Sequence, residues 1–97
     1  MLLVFTGVGY AGAGIYFAET PSDARRKSQH GNDVCLKALV WLGKSKVIDR
    51  RDPNITFTSL KREGFDSVRL TAFTGDEYIV YNWDQVEDIQ RFDEMRV

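Results

Sequence analysis

Hydrophobic positions along this chain come in short runs cut apart by glycine, proline and charge. The longest run, VCLKALVWL at residues 34–42, places Val34, Leu36, Ala38, Val40 and Leu42 on one face and Cys35, Lys37, Leu39 and Trp41 on the other. Both faces are largely apolar, which predicts a strand inside a sheet, with Trp41 in the core. Shorter runs rich in β-branched and aromatic residues predict strands at 14–18 (GIYFA), 46–48 (KVI), 66–70 (DSVRL) and 77–82 (EYIVYN), with a last one over about 85–92. Residues 55–63 (ITFTSLKRE) alternate weakly and fit a strand or a short helix; Gly64 breaks them. One helix is clear. Thr20 is a good N-cap, Pro21 suits the first helical position because its missing N–H has no partner there anyway, and Asp23 puts an acid in the first turn. The helix is expected over about 21–30, closed by Gly31-Asn32. Its body, DARRKSQH, is polar apart from Ala24, so it should lie on the surface with a thin contact stripe. Residues 50–54 (RRDPN) and 73–76 (FTGD) read as loops.

Strands dominate, so the expected class is α+β: a mostly antiparallel β-sheet with one clear helix on one side, in a single domain over 1–97. Composition adds exclusions. A net charge of −1 gives no bulk attraction to nucleic acid or to an acidic membrane surface. The lone cysteine, Cys35, has no disulfide partner in the chain, and its apolar neighbours make it a buried, inert thiol. One cysteine and one histidine, His30, make no zinc site, so no metal is expected. No stretch approaches the roughly 18 apolar residues of a membrane span. The opening MLLVF is apolar but falls short of the about 7–15 residues of a secretory leader core, and no basic residue precedes it. An intracellular chain, cytoplasmic or nuclear, is therefore expected, and a lone cysteine suits a reducing compartment.

Candidate chemistry starts at GDEYIVYNWDQV, residues 75–86, where Asp76 and Glu77 stand at the mouth of an apolar strand. Such a carboxylate either caps a solvated strand end or is held there to act. A second feature is GVGYAGAG at residues 7–14, which holds four of the eight glycines. It lacks the lysine of a phosphate-binding P-loop, and GIYFA follows it where a nucleotide fingerprint needs a helix. Taken alone, it is a turn between strands.

Three stretches taken together, GAGIYFAETPSDA (12–24), GFDSV (64–68) and DEYIVYNWDQV (76–86), resemble the C-terminal half of the catalytic domain of poly(ADP-ribose) polymerase-like ADP-ribosyltransferases. The resemblance runs from Gly12 to about Ile89. It implies a split β-sheet with NAD+, as substrate, in the cleft, and a histidine–tyrosine–glutamate triad. Tyr16 matches the tyrosine that stacks on nicotinamide. Glu77 matches the glutamate that hydrogen-bonds the nicotinamide ribose and polarises the acceptor. Gly12, Gly14 and Ala18 would shape the pocket, and Ser22 lies two residues before the position of the family's nicotinamide-contacting serine, which is Ala24 here. The family's second stacking tyrosine aligns with Lys27. Its histidine, in a His-Gly pair on an earlier strand, has no counterpart: eleven residues precede Gly12, none is histidine, and Thr6-Gly7 has the wrong spacing. His30 comes after Tyr16 and does not match. The expectation is a domain lacking the N-terminal part of the pocket, one completed by another subunit, or a minimal or decayed transferase fold.

The chemistry accounts for the carboxylate. Breaking the nicotinamide–ribose bond builds an oxocarbenium-like cation, which a fixed negative charge stabilises best where water is excluded. A carboxylate can also take a proton from an acceptor hydroxyl or from water. The expected function is thus NAD+-dependent mono-ADP-ribosyl transfer to a protein, a nucleic acid or water. The alternative is an inactive module of the same fold that binds a protein partner or a nucleotide. Exposed sheet edges in so short a chain invite a homodimer. Arg25, Arg26 and Lys27 read first as a solvated helix face, and second as contacts to a pyrophosphate or a phosphorylated acceptor. Trp83, in the loop after Tyr81, should be exposed.

Overall fold

The computed structural model describes residues 1–7, 9–28 and 35–92. Seven strands form one hydrogen-bonded sheet: β1 (Leu2–Phe5), β2 (Ile15–Ala18), β3 (Cys35–Val40), β4 (Ser45–Ile48), β5 (Ser67–Leu70), β6 (Glu77–Val80) and β7 (Val86–Phe92), in the order β4-β5-β6-β2-β1-β3-β7. Two short α-helices, α1 (Pro21–Lys27) and α2 (Phe57–Arg62), and a 3₁₀ turn at Trp83–Gln85 complete the described chain. Five of the six strand pairs are antiparallel. The exception is β4 with β5, which run parallel because α2 carries the chain back between them. The α+β class and the mostly antiparallel sheet hold.

Register sets which side chains share a face. Phe5 faces Tyr16, Tyr16 faces Ile79, and Ile79 faces Val68, so these four form one row across β1, β2, β6 and β5. One row along, Leu3 faces Ala18 and Leu70 faces Glu77. This face carries the larger core, closed by Ala24 from α1, Leu60 from α2, and Ala11 and Ile55 from loops. The opposite face buries Phe17, Ala38 and Val80 against Leu2, Val4, Ile15, Val40, Leu42 and Val86.

Several expectations need revision. The opening run is β1, near the middle of the sheet, between β2 and β3. Residues 35–40 form an interior strand as expected, paired on both sides, but Trp41 is not in the core; it is 59% exposed. The strand stops at Val40, and Trp41 then pairs with the 3₁₀ turn: its N–H donates to the Gln85 carbonyl at 2.8 Å, and Gln85 Nε2 donates back to its carbonyl at 3.1 Å. The ladder between β3 and β7 also shifts between Lys37 and Leu39, where Asp88 has φ 53, so strict alternation fails there. Trp83 is exposed, as its loop position suggested. Residues 57–62 are helical. Thr56 Oγ1 accepts from the Ser59 N–H, and Ser59 Oγ accepts from the Thr56 N–H, both at 3.0 Å. The strand expected at 77–82 ends at Val80. The α1 N-cap is as read: Thr20 Oγ1 accepts from the Asp23 N–H at 3.1 Å. The helix ends at Lys27; His30, Gly31, Asn32, Val34 and the Cys35 side chain lie outside the described residues.

Candidate functional site

The two acids at the mouth of β6 part company. Asp76 turns outward and pairs with Arg69 of β5 at 2.7 Å, and the same guanidinium covers the Tyr78 ring at 5.5 Å. Glu77, one residue on, faces the core side of the sheet and is 5% exposed. Lys27 Nζ lies 3.1 Å from its Oε2, and the lysine side chain is 5% exposed. A buried carboxylate needs such a partner, since desolvation otherwise favours its neutral form.

Lys27 reaches this position because of how α1 docks. Ala24 is the buried residue of the helix, and a residue three positions later lies on the same face. The expectation of a solvated basic run therefore fails at Lys27. Its ammonium also sits 5.8 Å from the Phe73 ring centroid. Arg26 points elsewhere, to Asp23 Oδ1 at 2.6 Å and the Thr74 carbonyl at 2.9 Å, tying α1 to the loop before β6. The Arg26 guanidinium holds the Asp23 carboxyl below its ordinary pKa.

Tyr16 is 4% exposed and fully engaged. Its hydroxyl accepts from the Ala11 N–H at 2.9 Å and donates to the Gly12 carbonyl at 2.7 Å. Phe5 meets its ring edge-on at 5.7 Å. A Cβ on Gly7 would fall 2.6 Å from Tyr16 Cγ, so only glycine lets the backbone lie on that ring. Burial raises the Tyr16 pKa, the Ala11 N–H opposes this, and the nearby charge of Glu77 raises it further. The Tyr81 hydroxyl donates to the Ala11 carbonyl, so two phenols pin the glycine-rich loop to the sheet.

A cavity of about 240 Å³ opens over this end of the sheet, lined by Phe5, Tyr10, Arg26, Lys27, Phe73 and Glu77. Tyr10 and Phe73 meet across it, 5.0 Å between centroids and tilted by 31°. The space is below the roughly 300–1,000 Å³ of sites for drug-sized ligands, and suits one small ring. Three aromatic rings would hold a flat ligand by stacking or edge contact, with one carboxylate and two cations at the wall.

Of the expected site residues, Tyr16 and Glu77 come together on one face of adjacent strands. Gly12 and Gly14 instead line a neighbouring cavity of about 330 Å³, with Tyr16 as one wall and Trp83 at its rim. Ala18 is wholly buried beneath the sheet surface. Ser22 is exposed on α1, its hydroxyl 3.3 Å from Thr20 Oγ1. The residues that sequence reasoning missed are Phe5, Tyr10 and Phe73, together with the inward course of Lys27. Phe5 could have been found by giving the opening run a strand's alternation, and Lys27 by its spacing from Ala24. Among the described residues, no group of three or more histidine, cysteine, aspartate or glutamate side chains could hold a metal ion, and no helix is long and apolar enough to cross a membrane. No protein-family model matches the sequence, and no curated protein matches it.

Proposed function

We propose that this chain is an NAD+-dependent ADP-ribosyltransferase of the polymerase-like type, acting by mono-transfer or as a glycohydrolase. The observation that carries the reading is the meeting of two distant motifs: Tyr16 and Glu77 share one sheet face, with Glu77 in the wall of an aromatic-lined cavity. The nicotinamide ring would lie among Phe5, Tyr10 and Phe73. As the bond from ribose C1′ to the ring nitrogen breaks, its electron pair goes to the ring, which leaves as neutral nicotinamide. The cation left on the ribose is stabilised by Glu77. Lys27 occupies Oε2, so Oε1 is the oxygen offered to the ribose and acceptor. The acceptor hydroxyl or water attacks C1′ and gives its proton to that carboxylate. Tyr16, with its hydroxyl engaged and its ring under Gly7, acts as a wall that fixes the glycine-rich loop. The split-sheet ADP-ribosyltransferase fold and an intracellular location belong to the same proposal. The acceptor is a protein, a nucleic acid or water.

A second reading is favoured by two observations: Glu77 is neutralised by Lys27, and the side chain opposite Tyr16 on β1 is the phenyl ring of Phe5, which can neither donate nor accept a strong hydrogen bond. On that reading the chain is an inactive module of the same fold that binds a nucleotide or a protein, or pairs as a homodimer. Nicotinamide release from NAD+ by wild type and Glu77→Gln, run beside calorimetric NAD+ binding, separates the two. Release that Glu77→Gln removes supports the enzyme. Binding without release by either protein supports the nucleotide-binding module, and neither binding nor release overturns both the enzyme and the nucleotide-binding module.

A further inference from the structure

The Glu77 cavity, at about 240 Å³, has room for one ring, yet the ligand proposed for it carries a diphosphate and a second nucleoside. Its own cations are already engaged: Lys27 with Glu77, and Arg26 with Asp23 and the Thr74 carbonyl. The diphosphate therefore needs another cation nearby. A further cavity of about 390 Å³ is lined by Gly9, Tyr10, Arg51 and Pro53. Tyr10 is common to both cavities. Arg51 is exposed, with its guanidinium carbon 5.4 Å from the Tyr10 ring centroid. Among the described residues, no carboxylate lies within ion-pair distance of it. Lys27, Phe73, Tyr10 and Arg51 thus form a chain of contacts, two tilted rings with a cation against each.

The two loops that build this wall are fixed to each other. The Asp52 N–H donates to the Tyr10 carbonyl at 2.7 Å. Gly12, at φ 83, packs so closely on the Ile55 backbone that a Cβ would fall on the Ile55 carbonyl oxygen. Arg51 is therefore carried on a loop whose backbone is tied to the glycine-rich loop.

We propose that this cavity is a second subsite, taking the diphosphate portion of the ligand whose ring lies beside Glu77, with Arg51 as its anion contact and Tyr10 as the shared wall. The inference rests on the NAD+ reading for its ligand class, but its test does not depend on turnover. ADP and ADP-ribose are titrated calorimetrically into the whole chain as wild type, Arg51→Ala and Glu77→Gln, with melting curves to verify folding. Arg51 is exposed and makes no ion pair among the described residues, so its removal should leave the melting temperature unchanged. Arg51→Ala should weaken both ligands about tenfold, the scale of one charge-assisted contact to phosphate, while Glu77→Gln leaves ADP affinity within about twofold. Wild type that binds neither ligand, or Arg51→Ala that binds both as wild type does, overturns the proposal. Failure of the enzymatic reading would look different: no Glu77-dependent nicotinamide release, with Arg51-dependent ADP binding intact.

Discussion

Glu77 and Lys27 concentrate most of what is unusual here into two side chains. Each is a charge taken out of water, and each is tolerable only because the other is 3.1 Å away. Removing one partner of such a pair strands the other, and typically destabilises by about 3–5 kcal/mol, whereas replacing both with apolar groups is often close to neutral. Lys27→Met and Glu77→Leu should therefore each lower stability by about 3 kcal/mol in urea denaturation, and the double variant should recover most of the loss. Additive losses would mean that the pair is not the buried unit described. The two residues were not equally legible. Glu77 stands in a motif at a strand mouth, and the strand's alternation turns it inward. Lys27 sits in a run of three cations that reads as a wetted helix face. Only the docking of Ala24, a tertiary event, draws its side chain in. Tyr16 was legible as a residue of the 14–18 strand, but not the engagement of its hydroxyl, because that depends on where a glycine-rich loop folds back.

At the scale of elements, what is local was readable. Thr20, Pro21 and Asp23 open α1 as their chemistry requires, since N-caps act over three or four residues. The second helix shows the limit. Its capping box uses Ser59 where glutamate or glutamine is usual, so its signature is weak in the sequence, although the reciprocal hydrogen bonds form. Thr56→Ala should remove that start and lower stability by about 1 kcal/mol. The unfolding midpoint in urea reports it, and an unchanged midpoint would show that α2 is held by Leu60 packing alone. β1 was missed for a different reason. Its partners are β2 and β3, and nothing inside five apolar residues says that they will lie in the middle of a sheet. Trp41 erred through the opposite assumption, that alternation continues to the end of an apolar run; the strand stops one residue earlier.

For the whole molecule, the glycine-rich loop is held to the sheet by two phenols, Tyr16 buried and Tyr81 partly buried. Tyr81 is pushed well above its ordinary pKa, first by burial, and Tyr16 is raised for the same leading reason. Both sit in or against the larger core and grip the same loop. A phenol whose folded pKa exceeds its unfolded value stabilises fully below the unfolded value, near 10, and loses that contribution as pH rises through the folded one. Stability to urea should therefore begin to fall above about pH 10, with tyrosinate absorbance rising together with loss of structure. Tyrosinate that forms fully while the fold persists would contradict the burial of these rings. The strand order was beyond the sequence because each pairing is non-local. The α+β class was within reach because local strand signals outnumber helical ones.

We propose that Glu77 stabilises the cation formed as the nicotinamide–ribose bond breaks, and nicotinamide release from NAD+ reads this out. Glu77→Gln is the informative variant, since its amide oxygen can still accept from Lys27 and so preserve the packing of the site. Measurable release by wild type is expected, with a fall in kcat of about a hundredfold or more in Glu77→Gln and a KM within a few-fold. Equal release by the two proteins would contradict it, as would the absence of release by wild type at saturating NAD+.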